Sequence, residues 1–137
     1  MVVYNLNHLG LGDADRRAAK LRTVRNLLSH HKIVGLQELH ATSEIEANVL
    51  FFDHLDATVF YDDSLNLAIL VDNTWLNEHF ATHNVQITHT QVVPGAIHAG
   101  APLWVRVISS MFIWTLRLIH KSRSINLLGD VNGLLNI

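Results

Sequence analysis

Lys32-Ile33-Val34-Gly35-Leu36-Gln37-Glu38-Leu39 is a nearly unbroken apolar run that closes on an amide and a carboxylate. An apolar run of this length predicts a buried strand, and it places Gln37 and Glu38 at the strand's end. Upstream, in "DADRRAAKLRTVRNLLSH", Ala14, Ala18, Leu21, Val24 and Leu28 recur at spacings of three and four. That spacing predicts a helix with one apolar stripe, its arginines outside the stripe and Asp13 as its cap. Before the helix, Val2 to Leu6 predicts a short strand, followed by a turn around Gly10 and Gly12.

Downstream, Ser43 followed by Glu46 is a capping-box pattern ahead of "IEANVLFF", which predicts a second helix. "ATVFY", "DDSLN" and "LAILV" then read as strand, turn and strand of a hairpin, and "TWLNEHF" as a short helix. "VQITHTQVV", "LWVRVIS" and "FIWTLRLIH" predict successive strands separated by Pro94-Gly95 and Ser109-Ser110, and Ile125 to Leu128 a last one. The order β-α-β-α followed by mostly β predicts an α/β or α+β sandwich of mixed and antiparallel sheet with flanking helices. It is expected to form one domain over residues 1–137.

The bulk composition narrows the function classes. With 137 residues, 49% hydrophobic and 16% charged, the chain has enough apolar content for a single core. A formal net charge of −2 argues against nucleic-acid binding by bulk charge alone. The absence of cysteine excludes disulfides and thiolate zinc sites. The N-terminal stretch "MVVYNLNHLG" lacks a signal-peptide pattern, and Arg106 and Arg117 interrupt the most apolar region. An intracellular protein with no transmembrane segment is expected.

Three predicted strand ends carry chemistry-bearing residues: Asn5-Leu6-Asn7, Gln37-Glu38 and Asp130-Val131-Asn132. Strand alternation puts Asn5 with Asn7, and Asp130 with Asn132, on one face each. If the three strands share a sheet, two carboxylates and several amides meet at one rim. Such oxygen ligands suit Mg²⁺. Any one of these pairs alone is the ordinary vocabulary of turns; the three in order carry the argument.

"YNLNHLG", "KIVGLQELH" and "LLGDVN", in this order, resemble the endonuclease/exonuclease/phosphatase superfamily, which includes apurinic DNA-repair endonucleases, DNase I, inositol-phosphate phosphatases and retroelement endonuclease domains. The resemblance covers the chain in condensed form and implies a DNase I-like sandwich. It implies a Mg²⁺-dependent phosphodiesterase, with Mn²⁺ as a substitute, acting on nucleic acid, DNA first. The retroelement type is the favoured relative. Glu38 is implied as the principal metal ligand with Asn5 beside it, and Asn7 near metal and phosphate. Asp130 is implied to orient the attacking water, Asn132 to hold a phosphate oxygen and His120 to stand beside the scissile phosphate. His40 flanks the groove in this reading.

The pattern also departs from the family. Only "KSRSINLL" separates His120 from "GDVN", too short for a helical crossover, so an antiparallel or shifted last strand is expected. The family's closing Asp-His pair has no counterpart up to Ile137, which predicts a shortened domain. The alternatives are an inactive remnant or interaction module, or a phosphomonoesterase such as an inositol-phosphate phosphatase. Of the ten histidines, His79 and His83 are spaced for one helix face but lack a third metal ligand. Trp75, Trp104 and Trp114 are expected in the core. Arg16, Arg17, Lys20, Arg22 and Arg25 are expected on a solvated helix face rather than along a phosphate backbone.

Overall fold

All five residues of β2 (Ile33–Gln37) are buried, so the strand needs a neighbour on each edge and a cover on each face. The computed structural model describes residues 1–63, 65–80, 86–89, 103–108, 113–118 and 126–128, and supplies both. On one edge β1 (Val2–Asn5) pairs parallel with β2, Val2 opposite Val34 and Asn5 opposite Gln37. On the other edge β4 (Leu67–Asp72) pairs antiparallel, and β3 (Ala57–Asp62) closes the sheet by its hairpin with β4. The order is β1-β2-β4-β3.

Parallel neighbours require a crossover, and α1 (Ala14–His30) is that crossover. Its first turn is capped by Asp13, whose Oδ1 accepts from the backbone N–H of Asp15 and of Arg16, each at 3.1 Å. Leu21, Val24 and Leu28 bury against the sheet face that carries Val34, Leu36, Ala68, Leu70 and Tyr61. The apolar stripe expected from Ala14 onward starts two turns later than the spacing implies, at Leu21, because Ala14 and Ala18 are exposed. The first turns of the helix lie against the loop at residues 8–12 instead of the sheet. Arg17 donates to the Leu11 carbonyl at 3.0 Å. A Cβ on Gly10 would stand 3.0 Å from the Arg17 backbone nitrogen.

The helix α2 (Glu44–Leu50) starts where the capping-box pattern places it. Ser43 Oγ accepts from the Glu46 N–H at 3.1 Å, while Glu46 Oε2 accepts from Thr42 Oγ1 at 2.6 Å. One 3₁₀ turn follows at Phe52–His54. Phe51, Phe52 and Leu55 complete the core on the helical side. The short helix α3 (Asn73–Phe80) runs directly on from β4, its first turn held by Asp72 Oδ2 accepting from the Trp75 N–H at 2.9 Å. Trp75 is a core residue, 5% exposed.

The opposite face of the first sheet carries Ile33, Phe60, Leu67, Ile69 and Val71, all buried. The chain also forms a second sheet. β5 (Gln86–His89), β6 (Leu103–Ile108), β7 (Ile113–Leu118) and β8 (Asn126–Leu128) pair antiparallel in the order β5-β6-β7-β8. β6 approaches β4, and Leu118 is fully buried. The chain is therefore a mixed α/β protein, with helices on the outer face of a mixed four-stranded sheet. The last strand lies antiparallel to β7, Leu127 opposite Leu116, as its short connection requires. That pairing puts β8 at the edge of the second sheet, so the strands ending in "NLN" and "LQE" share a sheet that the "GDVN" strand does not join.

Candidate functional site

Because β1 and β2 are parallel neighbours, both finish at the same rim of the first sheet. The pairing does not stop with the strands. The N–H of Leu6 donates to Gln37 O at 2.9 Å, that of His8 to Glu38 O at 2.8 Å and that of Leu9 to Leu39 O at 3.1 Å. Two loops thus run side by side beyond the sheet, and Asn7-His8 lies next to Glu38.

These loops leave the strand conformation abruptly. Asn7 (φ 48°), His8 (75°), Glu38 (56°) and His40 (47°) are all left-handed. A fifth such residue, Asn66 (φ 55°), belongs to the same cluster, since its Oδ1 accepts from the His40 N–H at 3.1 Å. These five are the non-glycine residues with positive φ among the described residues. Each left-handed residue costs on the order of 1 kcal/mol, and such outliers concentrate at functional sites. The expectation that Asn5 and Asn7 alternate onto one strand face fails here. β1 ends at Asn5, whose Oδ1 accepts from the Asn7 N–H at 3.0 Å and turns the chain out of the sheet.

Lys20 reaches down from α1 and donates through Nζ to the carbonyls of Asn7 and His8. Burial, and secondarily the neighbouring Arg16, lower its pKa from the ordinary lysine value. The basic helix therefore plays a part that neither sequence reading anticipates. Lys20, Arg17 and Arg25 hold carbonyls of the surrounding loops, Arg25 that of His54 at 2.9 Å.

Beside the rim opens a groove of about 520 Å³, lined by His8, Leu9, the loop from Gly10 to Asp13, Arg16, His40, Thr42 and Glu46. The rings of His8 and His40 are in contact, tilted 41° to one another with their centroids 4.7 Å apart.

Of the residues implied by the motifs, the structure brings Asn5, Asn7 and Glu38 to one rim. Asn5 and Asn7 are exposed and Glu38 is half-buried, one residue past β2. Asp130, Asn132 and His120 lie outside the described residues, as does His83 of the spaced histidine pair. Among the described residues no three metal-ligating side chains of His, Asp or Glu gather together. A carboxylate with neighbouring amide oxygens is nonetheless the donor chemistry Mg²⁺ takes when it keeps several waters, and Glu38 with Asn5 and Asn7 fits it. His8 and Asn66 escaped the sequence reading, and Lys20, expected on a solvated helix face, holds the Asn7 and His8 carbonyls instead. The signal for His8 was its place directly after "NLN"; Asn66 had none.

Comparison with protein-family models, curated proteins and solved structures yields no match. Among the described residues no helix is long and apolar enough to cross a membrane.

Proposed function

We propose that this chain is an endonuclease/exonuclease/phosphatase-type domain with a DNase I-like sandwich, whose chemistry is hydrolysis of nucleic-acid phosphodiesters. One observation carries the reading. The residues of "NLN" and "LQE" lie side by side at one rim, held there by backbone hydrogen bonds that continue the β1–β2 pairing through Glu38 and His8.

In this reading Glu38 with the amides of Asn5 and Asn7 would hold Mg²⁺, or Mn²⁺ in its place, which would supply Lewis-acid chemistry at a phosphoryl oxygen. The chain's own part is positional. Lys20 fixes the Asn7-His8 backbone from beneath, so the Asn7 amide and Glu38 keep their spacing. Asp130, by the motif resemblance, orients the attacking water, Asn132 holds a phosphate oxygen and His120 stands beside the scissile phosphate.

The test is cleavage of supercoiled, nicked and abasic plasmid DNA by the purified chain with Mg²⁺, alongside Glu38→Ala. The expected result is metal-dependent nicking that Glu38→Ala lowers at least 100-fold and that EDTA abolishes. Equal cleavage by both proteins removes Glu38 from the site. Release of inorganic phosphate from inositol phosphates without DNA cleavage moves the reading to a phosphomonoesterase, and no turnover of either substrate moves it to an inactive remnant.

A further inference from the structure

His8 and His40 bring two imidazoles into ring contact at the groove, their centroids 4.7 Å apart at a tilt of 41°. No ring nitrogen of the pair has a hydrogen-bond partner among the described residues. Both residues are exposed, so the contact is not part of the core. The backbones beneath them are nonetheless fixed. His8 donates its N–H to Glu38 O at 2.8 Å, and His40 donates its N–H to Asn66 Oδ1 at 3.1 Å. The Leu9 N–H, donating to Leu39 O, ties the two loops together between them. Both histidines also hold a left-handed backbone, φ 75° and 47°, a conformation that persists where the surrounding structure over-determines it.

The separation suits two ligands of one metal ion. A ring nitrogen bound at about 2.0–2.1 Å puts the ion roughly 3.2 Å from the ring centroid. At octahedral or tetrahedral angles, about 90–109°, two such centroids stand roughly 4.5–5.2 Å apart. The 4.7 Å between His8 and His40 lies inside that range. Rotation about the Cβ–Cγ bond turns an exposed ring without displacing its centroid, because that axis runs through the ring, so one nitrogen of each can meet a shared ion. The charge of the groove also favours a cation. Asp13 and Glu46 each keep one carboxylate oxygen outside any hydrogen bond among the described residues, and they line the groove with a single guanidinium, that of Arg16.

We propose that His8 and His40 form a two-imidazole site for a divalent transition ion of the zinc, nickel and copper class, which clamps the loop after β1 to the loop after β2. Among the described residues no third His, Asp or Glu side chain gathers with them to hold a metal, so water takes the remaining positions. Asp13 and Glu46 contribute through their charge. Imidazole selects such borderline ions over Mg²⁺, which takes oxygen ligands. The site does not rest on the phosphodiesterase reading and uses none of the oxygen donors assigned there to Mg²⁺.

The experiment is isothermal titration of the untagged full chain with ZnCl₂ and NiCl₂, and with MgCl₂ as the hard-ion comparison. Wild type is compared with His8→Asn, His40→Asn and the double variant, asparagine being chosen because it tolerates the left-handed backbone. His54→Asn, at an exposed histidine outside the groove, and Glu38→Ala are the controls. One Zn²⁺ per chain is expected to bind with a Kd of roughly 100 μM or tighter, well short of a four-ligand structural site. Mg²⁺ is expected to bind the same protein about 100-fold more weakly or worse. Each single variant should lose about ten-fold or more in Zn²⁺ affinity, and the double variant hardly more than either, because chelation needs both rings. His54→Asn and Glu38→Ala are expected to bind as wild type. Ring-nitrogen NMR of wild type, which needs no variant to fold, should show His8 and His40 shifting together up to one equivalent of Zn²⁺. Zn²⁺ binding that survives both single variants, or losses that add as for two separate sites, overturns the proposal. So does Zn²⁺ binding no tighter than that of Mg²⁺, or binding that only Glu38→Ala removes. Zn²⁺ held by the two rings in a protein that cleaves no DNA sustains the site and sinks only the hydrolytic reading.

Discussion

Tyr61 carries a hydroxyl that the fold buries without using. The residue lies on β3 beside Ala68 of β4, its ring 5.3 Å from that of Phe52, and is 8% exposed. Its Oη has no hydrogen-bond partner among the described residues. Burying a hydroxyl unsatisfied costs about 1–3 kcal/mol, while the ring supplies apolar burial that phenylalanine matches. Tyr61→Phe is therefore expected to stabilise the protein by about 1 kcal/mol, a rise of roughly 3–4 °C in Tm for a chain this size. The alkaline limb gives an independent readout. Burial first, then the carboxylates of Asp63, Glu44 and Asp62, push the phenol up to about 12 from its ordinary 10. Below pH 10 both folded and unfolded phenols are neutral and stability is full. Between pH 10 and about 12 only the unfolded state ionises, so stability falls, by at most about 1.4 kcal/mol per pH unit. Urea denaturation of wild type and variant at pH 7 and in steps from pH 9.5 to 11.5 measures both effects. The variant should be the more stable at pH 7 and should lack this part of the alkaline loss. A variant less stable than wild type by 1 kcal/mol or more at pH 7 refutes the reasoning, because it would mean that the hydroxyl makes a bond in the folded state.

Three further outcomes follow from the rim and its supports. Asp13→Ala removes a cap that accepts two backbone N–H groups and should cost about 1 kcal/mol in chemical denaturation. Gly10→Ala should cost about 2 kcal/mol or more. Its φ of 74° disfavours any side chain, and the new Cβ would meet the Arg17 backbone at 3.0 and 3.1 Å. Glu38→Gly should be more stable than Glu38→Ala by about 1 kcal/mol, since both lose the carboxylate but only glycine relieves the φ of 56°; equal melting temperatures would mean that the left-handed geometry is not maintained in solution.

What the sequence determined by itself is the set of features written within a few neighbouring residues. The Asp13 and Ser43 caps, the stripe Leu21-Val24-Leu28, the β3–β4 hairpin and the buried run of β2 each depend on spacings of four residues or fewer, or on one unbroken apolar run. Helix period, turn chemistry and continuous burial are local signals, so they survive without knowledge of the partner. The short link before "GDVN" likewise determined that the last strand runs antiparallel. Tertiary structure alone decided the rest. It paired β1 with β2 across a helix, so that "NLN" and "LQE" share a rim, and it assigned the "GDVN" strand to the other sheet. It turned Asn7 and Glu38 left-handed, set His8 against His40 and drew Lys20 onto the loop carbonyls. The physical reason is that these contacts join residues from a dozen to several tens of positions apart. Their energy comes from burial and backbone hydrogen bonding between loops, and no residue's own propensity reports it.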